Sequence, residues 1–170
     1  VSNGSIVQNV SGTLITNTGF VTINENVFLQ GYDIAIRNEA NSILNMRGGT
    51  LTNNVSGTEA TLYVEASSIA NIYDGIISSN GAGKAIINNG TITISNGTES
   101  EGQPQIINEN GVSIINQENI GDTTAKLTIT DAIIEGAVIN RGVNELSIAN
   151  STLQSENDIF LLTTAGTVTI

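Results

Sequence analysis

Few side chains in this chain could carry chemistry, and the missing types narrow the field. Its 170 residues include no cysteine and no histidine. Disulfides, thiolate or histidine-ligated metal sites, a cysteine nucleophile and a Ser-His-Asp triad are therefore excluded. Sixteen acidic and five basic side chains remain. Asp74 and Asp131 open the similar phrases "DGII" and "DAII", and Arg47 holds the corresponding place ahead of "GGTL". Lyase chemistry on an acidic polysaccharide would need a carboxylate cluster to hold calcium and a Lys or Arg as base, and a glycosidase would need two carboxylates at a defined separation. No repeated carboxylate pair converges in this way. Lys84, Lys126, Arg37, Arg47 and Arg141 are too scattered to build an anion site.

The net charge of −11 repels phosphate backbones and anionic lipid surfaces, and no basic run offsets it. Nucleic acid and membrane insertion are thus excluded as expectations, the second also because no apolar stretch approaches the roughly 20 residues of a spanning helix. Hydrophobic residues make up 39% of the chain but aromatics only 4%, so the core must consist of Ile, Leu and Val. These are strand formers, and Thr and Ser supply much of the remainder. Asn is abundant and Gly numbers 18 against one proline, a balance suited to frequent tight turns.

The elements that must position any site come from an internal repeat. One phrase ends at Ile23 ("FVTI"), Met46 ("LNM"), Ile72 ("ANI"), Ile94 ("TITI"), Ile129 ("KLTI"), Ile148 ("ELSI") and Ile170 ("TVTI"), at intervals of 23, 26, 22, 35, 19 and 22 residues. A second follows it, around Phe28 and at Leu51, Ile77, Ile134 and Leu153. A third precedes its return, at Ile36, Leu62, Ile86, Val138 and Phe160. In the long interval "QPQIIN" (103–108) reads as the second strand and "VSIIN" (112–116) as the third, with "SNGTESEG" and "QENIGDTTA" as lengthened loops. One expanded coil is preferred there to an additional, distorted one.

Three short strands in about 22 residues leave no room for a helix, and nothing reverses the order of the phrases. The sequence therefore predicts an all-β fold: a right-handed parallel β-helix, or solenoid, with three short strands per coil, about six to seven coils, and a single domain over residues 1–170. Equivalent phrases would stack at about 4.8 Å, giving a rise of roughly 30–35 Å. Alternation within the first phrase turns its apolar pair inward and Thr22, Asn45, Asn71, Thr93, Thr128, Ser147 and Thr169 outward. Asn38, Asn88, Asn116 and Asn140 close the third phrase, where a stacked amide column would hydrogen-bond along itself. Asp74 and Asp131 would sit one intervening coil apart, about 10 Å, as solvated corner residues.

The phrases "AIINNGTITISNG", "AKLTITDAIIEGAVINRG" and "NELSIANSTLQS" resemble the right-handed parallel β-helix repeats of bacterial adhesin-like surface proteins, of the pectate-lyase-like superfold. The likeness runs from about Val21 to Ile170. It implies an extracellular protein of the bacterial cell surface, in a group that includes stalks, glycan binders, autotransporter passengers and polysaccharide lyases. The uneven intervals favour this group over left-handed hexapeptide helices.

The functional expectation is a non-catalytic adhesin, contacting a host or microbial surface glycan or protein, or else a rigid spacer, with no cofactor and no metal. A polysaccharide-degrading enzyme and an ice-binding surface are the alternatives. The Thr-bearing column alone would favour ice, but the flanking positions Phe20, Ile43, Ile69, Thr91, Lys126, Glu145 and Thr167 break any lattice. The two lengthened loops break the repeat at neighbouring points of one coil, and such a protrusion on a rigid scaffold often carries binding. The candidate contact residues are accordingly Asn96, Thr98, Glu99, Glu101, Glu118, Asn119 and Asp122. Tyr32, Tyr63 and Tyr73 would stack on sugars if exposed, though packing at corners is the commoner role. Asn-x-Ser/Thr triplets at Asn54 and Asn96 are chance matches in an Asn-rich chain. Because Val1 follows no leader and "GTVTI" closes the chain on a core phrase, the expectation is a segment of a longer surface protein with flanking coils or domains.

Overall fold

The structure, a computed structural model, describes residues 3–53, 59–80, 83–97, 102–117, 124–141, 143–155, 161–163 and 167–170. Among them there is no helix, and all the strand pairings are parallel. The chain winds into a parallel β-solenoid of about six turns, consistent with a right-handed β-helix.

Three ladders form its faces. The first stacks β3 (Phe20–Ile23), the leading halves of β6 (Ile43–Asn53) and β8 (Ile69–Ser79), then β10 (Thr91–Ser95), β12 (Lys126–Thr130), β14 (Glu145–Ala149) and β17 (Thr167–Thr169). The second stacks β1 (Gly4–Val7), β4 (Val27–Gly31), the trailing halves of β6 and β8, the starts of β11 (Gln105–Asn116) and β13 (Ile133–Asn140), and β15 (Thr152–Gln154). The third stacks β2 (Thr13–Asn17), β5 (Ile34–Asn38), β7 (Ala60–Val64), β9 (Lys84–Asn88), the ends of β11 and β13, and β16 (Leu161–Thr163). Strands that run round a corner, such as β6 and β8, join the faces into one sheet.

Register explains the repeated phrases. Ile23, Met46, Ile72, Ile94, Ile129 and Ile148 lie one above another, and all are buried. Leu29, Leu51, Ile77, Ile106 and Ile134 form the second inward column, while Ile36, Leu62, Ile86, Ile114 and Val138 form the third. One continuous apolar core results. The second column runs through Leu29, not Phe28: Phe28 pairs with Thr50 and faces outward. Likewise the partner of Val138 is Leu161, whereas Phe160 lies outside the described residues. The 35-residue interval is one expanded coil, since β10 pairs directly with β12 and β11 supplies both remaining strands.

The corners explain the Asn excess. Asn26, Asn41 and Asn150 have φ of 59°, 63° and 48°, the left-handed region that Asn tolerates better than branched residues. Asn17, Asn38, Asn88, Asn116 and Asn140 are buried at equivalent corners between the third and first ladders. Asn17 Nδ2 donates to Asn38 Oδ1 (2.7 Å) and to the Ile43 carbonyl (3.0 Å). Asn88 repeats the pattern with Asn116 Oδ1 and Lys126 O, as does Asn116 with Asn140 Oδ1 and Glu145 O. Asn17, Asn88 and Asn116 thus each bond their coil to the next through both side chain and backbone. Val64 interrupts the column between Asn38 and Asn88, and there the Ser42 hydroxyl donates to Asn38 Oδ1 (2.8 Å).

The ladder gives a paired test. Asn88→Val strands buried partners and is expected to cost about 2–4 kcal/mol. Val64→Asn supplies the missing rung and is expected to change stability by less than about 1 kcal/mol. Denaturant unfolding measures both; equal costs would refute the stitching role.

Candidate functional site

Inward and corner positions are committed to stacking, so a site must lie on outward columns or loops. A concavity follows the corner between the first and second ladders. It is an open groove of about 610 Å³ that crosses four consecutive coils. Asn26 and Phe28 line it from the first coil, Gly49 and Thr50 from the second, Asp74, Gly75 and Ile76 from the third, and Gly102, Gln103 and Gln105 from the fourth. Phe28, Thr50, Ile76 and Gln105 are one outward register column, each partly exposed. Apolar Phe28 and Ile76 therefore alternate with polar Thr50 and Gln105 along one wall.

Close backbone approach makes the floor. Gly75 has φ of 96°, and a Cβ there would stand 2.6 Å from the Gly49 carbonyl oxygen. Only glycine allows the coils to meet so closely. Asp74 Oδ1 accepts a hydrogen bond from the Gly75 N–H (2.6 Å). Gly102 lies directly against that carboxylate: a Cβ would be 2.3 Å from Oδ1 and 2.6 Å from Oδ2. Asp74 is the one carboxylate among the described lining residues and is held between its own backbone and the coil above.

Arg47 and Asp74 are in register, as their phrases predict. Asp131 holds the matching place two residues before Ile133, which pairs with Gln105, so a whole coil separates it from Asp74. No group of three or more acidic side chains that could hold a metal occurs among the described residues. The Thr/Asn column of the first face is continuous in register from Thr22 to Thr169, and Asn71 Nδ2 donates to Asn45 Oδ1 (2.9 Å). Beside it the column Phe20, Ile43, Ile69, Thr91, Lys126, Glu145 and Thr167 is as mixed as the sequence implies, and Lys126 Nζ pairs with Glu145 Oε2 at 3.2 Å.

Of the predicted loop residues, Asn96 is exposed just after β10, where the Gly97 N–H donates to the Tyr73 carbonyl (3.3 Å). Thr98, Glu99, Glu101, Glu118, Asn119 and Asp122 lie outside the described residues. The anchors of the two loops stand at different corners: one loop leaves the end of β10 and the other enters the start of β12, at opposite ends of paired five-residue strands about 13 Å long. Tyr63 serves packing, with the Arg37 guanidinium 4.5 Å from its ring centroid and Asn89 Nδ2 donating to its hydroxyl (3.0 Å). Arg37 also pairs with Glu65 at 2.5 Å.

The groove escapes the sequence because its wall is built from outward residues that share no type. Its one sequence signal is the run of glycines at Gly49, Gly75 and Gly102. Comparison with protein-family models, curated proteins and solved structures gives no match. The structure shows a parallel β-solenoid, and the adhesin-like resemblance rests on the repeated phrases alone.

The Gly102–Asp74 contact yields a double-mutant test. Gly102→Ala is expected to destabilise the protein by about 1–3 kcal/mol and to do so by at least about 1 kcal/mol less in an Asp74→Gly background. Additive effects in denaturant unfolding would show that the two residues do not pack as described.

Proposed function

We propose that this protein is a non-catalytic, adhesin-like solenoid of the bacterial cell surface whose groove holds an extended, uncharged glycan. The observation that carries this reading is the four-coil groove, where Phe28 offers a stacking ring and Asn26, Gln103, Gln105 and Thr50 offer donors and acceptors. An apolar surface with a few fixed polar groups is the usual composition of a small-molecule site, and amides and hydroxyls match the hydroxyls of a sugar. The net charge of −11 disfavours acidic polysaccharides. A non-catalytic role is supported by the position of Asp74: it is bonded to its own backbone and is the one carboxylate among the described lining residues. The cell-surface setting rests on the acidic, cysteine-free composition and on the repeat resemblance.

A glycan array, followed by calorimetry on the best neutral oligosaccharide, tests the reading. Phe28→Ala is expected to weaken binding about tenfold or more, and Gln105→Ala several-fold. Product analysis is expected to find the oligosaccharide intact. Absence of binding to every neutral glycan would leave the spacer role, and turnover abolished by Asp74→Asn would establish the enzyme reading instead.

A further inference from the structure

The outward column that walls the groove is longer than the groove and has a period of its own. Phe28, Thr50, Ile76, Gln105, Ile133 and Thr152 are consecutive register partners on the second ladder. Apolar and polar side chains alternate over all six coils, and Ser5, the partner of Phe28 on β1, keeps the order. Successive coils stand about 4.8 Å apart, so like side chains recur at about 9.6 Å and the six coils span about 24 Å. Folding does not require this period: the alternation that sorts core from surface runs along each strand, whereas this one runs from coil to coil. Other outward columns lack it. Phe20, Ile43 and Ile69 follow one another on the first face, and Ile87, Ile115 and Ile139 on the third.

The same face carries little charge. The alternating column has none. The parallel outward column, about 7 Å away along the strands, runs from Val7 through Gln30 and Ser78 to Gln154. Its one charged residue is Glu135, whose Oε1 accepts a hydrogen bond from Gln154 Nε2 (2.8 Å). In a protein of net charge −11, so nearly uncharged a surface is complementary to an uncharged ligand. Phe28, Ile76 and Ile133 are each partly exposed, which leaves apolar surface open at every second coil.

A β-1,4-linked neutral glycan has a matching period. In its extended form each ring is turned over relative to the last, so equivalent faces and hydroxymethyl groups return once per disaccharide, a length close to two coil spacings. Chains with α-1,4 or β-1,3 linkages curl and lose the match. We infer that the second face is a track for one β-1,4-linked neutral chain lying parallel to the solenoid axis. Phe28, Ile76 and Ile133 stack against the C–H faces of every second ring, and Thr50, Gln105 and Thr152 hydrogen-bond to the rings between. This rests on the glycan reading of the groove and adds linkage, direction and length to it, because Ile133 and Thr152 carry the track past the groove.

Calorimetry on the whole chain tests this with cellohexaose, mannohexaose and chitohexaose, all β-1,4-linked, against maltohexaose (α-1,4) and laminarihexaose (β-1,3). The best β-1,4-linked hexasaccharide is expected to bind at least about tenfold more tightly than either control. Ile133→Ala, beyond the groove, should weaken that hexasaccharide about fivefold and leave the corresponding tetrasaccharide, which fits between Phe28 and Gln105, within about twofold. Thr50→Ile combined with Ile76→Thr keeps the composition of the column and breaks its period; both types suit an outward strand position, and far-UV circular dichroism checks the fold. This paired variant should lose about tenfold or more on the hexasaccharide. Equal affinity for the three linkages, or hexasaccharide affinity unchanged in both the paired variant and Ile133→Ala, with Phe28→Ala still weakening binding, would overturn the track while leaving the groove a glycan site. Absence of binding to every probe would overturn both.

Discussion

The constraint on which this structure depends is vertical register. Each coil can bury its apolar residues only by placing them over those of its neighbour, about 4.8 Å away, because no coil encloses a core alone. A slip of one residue would turn every Ile of a strand into solvent and every Thr into the core. The amide column adds direction to this arrangement: each donor reaches for the following coil, so the corner as well as the strand is indexed. Among the described residues, no buried side-chain polar atom lacks a partner.

Register also explains where the repeat may be irregular. Intervals of 19 and 35 residues coexist because a corner can lengthen freely, provided that the next strand returns to its column. Loop closure becomes only slowly more costly with length, so an expanded coil is thermodynamically cheap. Variation therefore gathers in corners and outward positions, which is where binding surfaces must arise. The groove is an example, since it needs no new element, only bare backbone at Gly49 and Gly75 and a different outward side chain on each successive coil.

The inward half of this structure was legible in the sequence because stacking demands the same residue type repeatedly. Ile23, Met46, Ile72 and Ile94 announce a column by recurrence alone, and Asn88, Asn116 and Asn140 announce the amide ladder. Boundaries were less clear where two neighbouring residues are both apolar. Phe28 and Leu29 compete for one inward position, and alternation within so short a strand does not separate them. Asn17 stands outside the repeat pattern because its coil precedes the first complete phrase, although "ITN" matches the later endings. The groove was hidden for a stronger reason: Phe28, Thr50, Ile76 and Gln105 have only position in common, and position is known once the coils are stacked.

The absence of cysteine allows the stacking to be measured directly. Thr93 and Thr128 are 35 residues apart, yet they are outward register partners on β10 and β12. Adjacent strands at about 4.8 Å fall within the Cα separation a disulfide accepts, whereas strands two coils apart do not. The variant carrying Thr93→Cys and Thr128→Cys is expected to form an intramolecular disulfide under mild oxidation and to lose it on unfolding before oxidation. Failure of the folded protein to cross-link, with both thiols reactive to a small alkylating reagent, would mean that another coil intervenes and that the register described here is wrong.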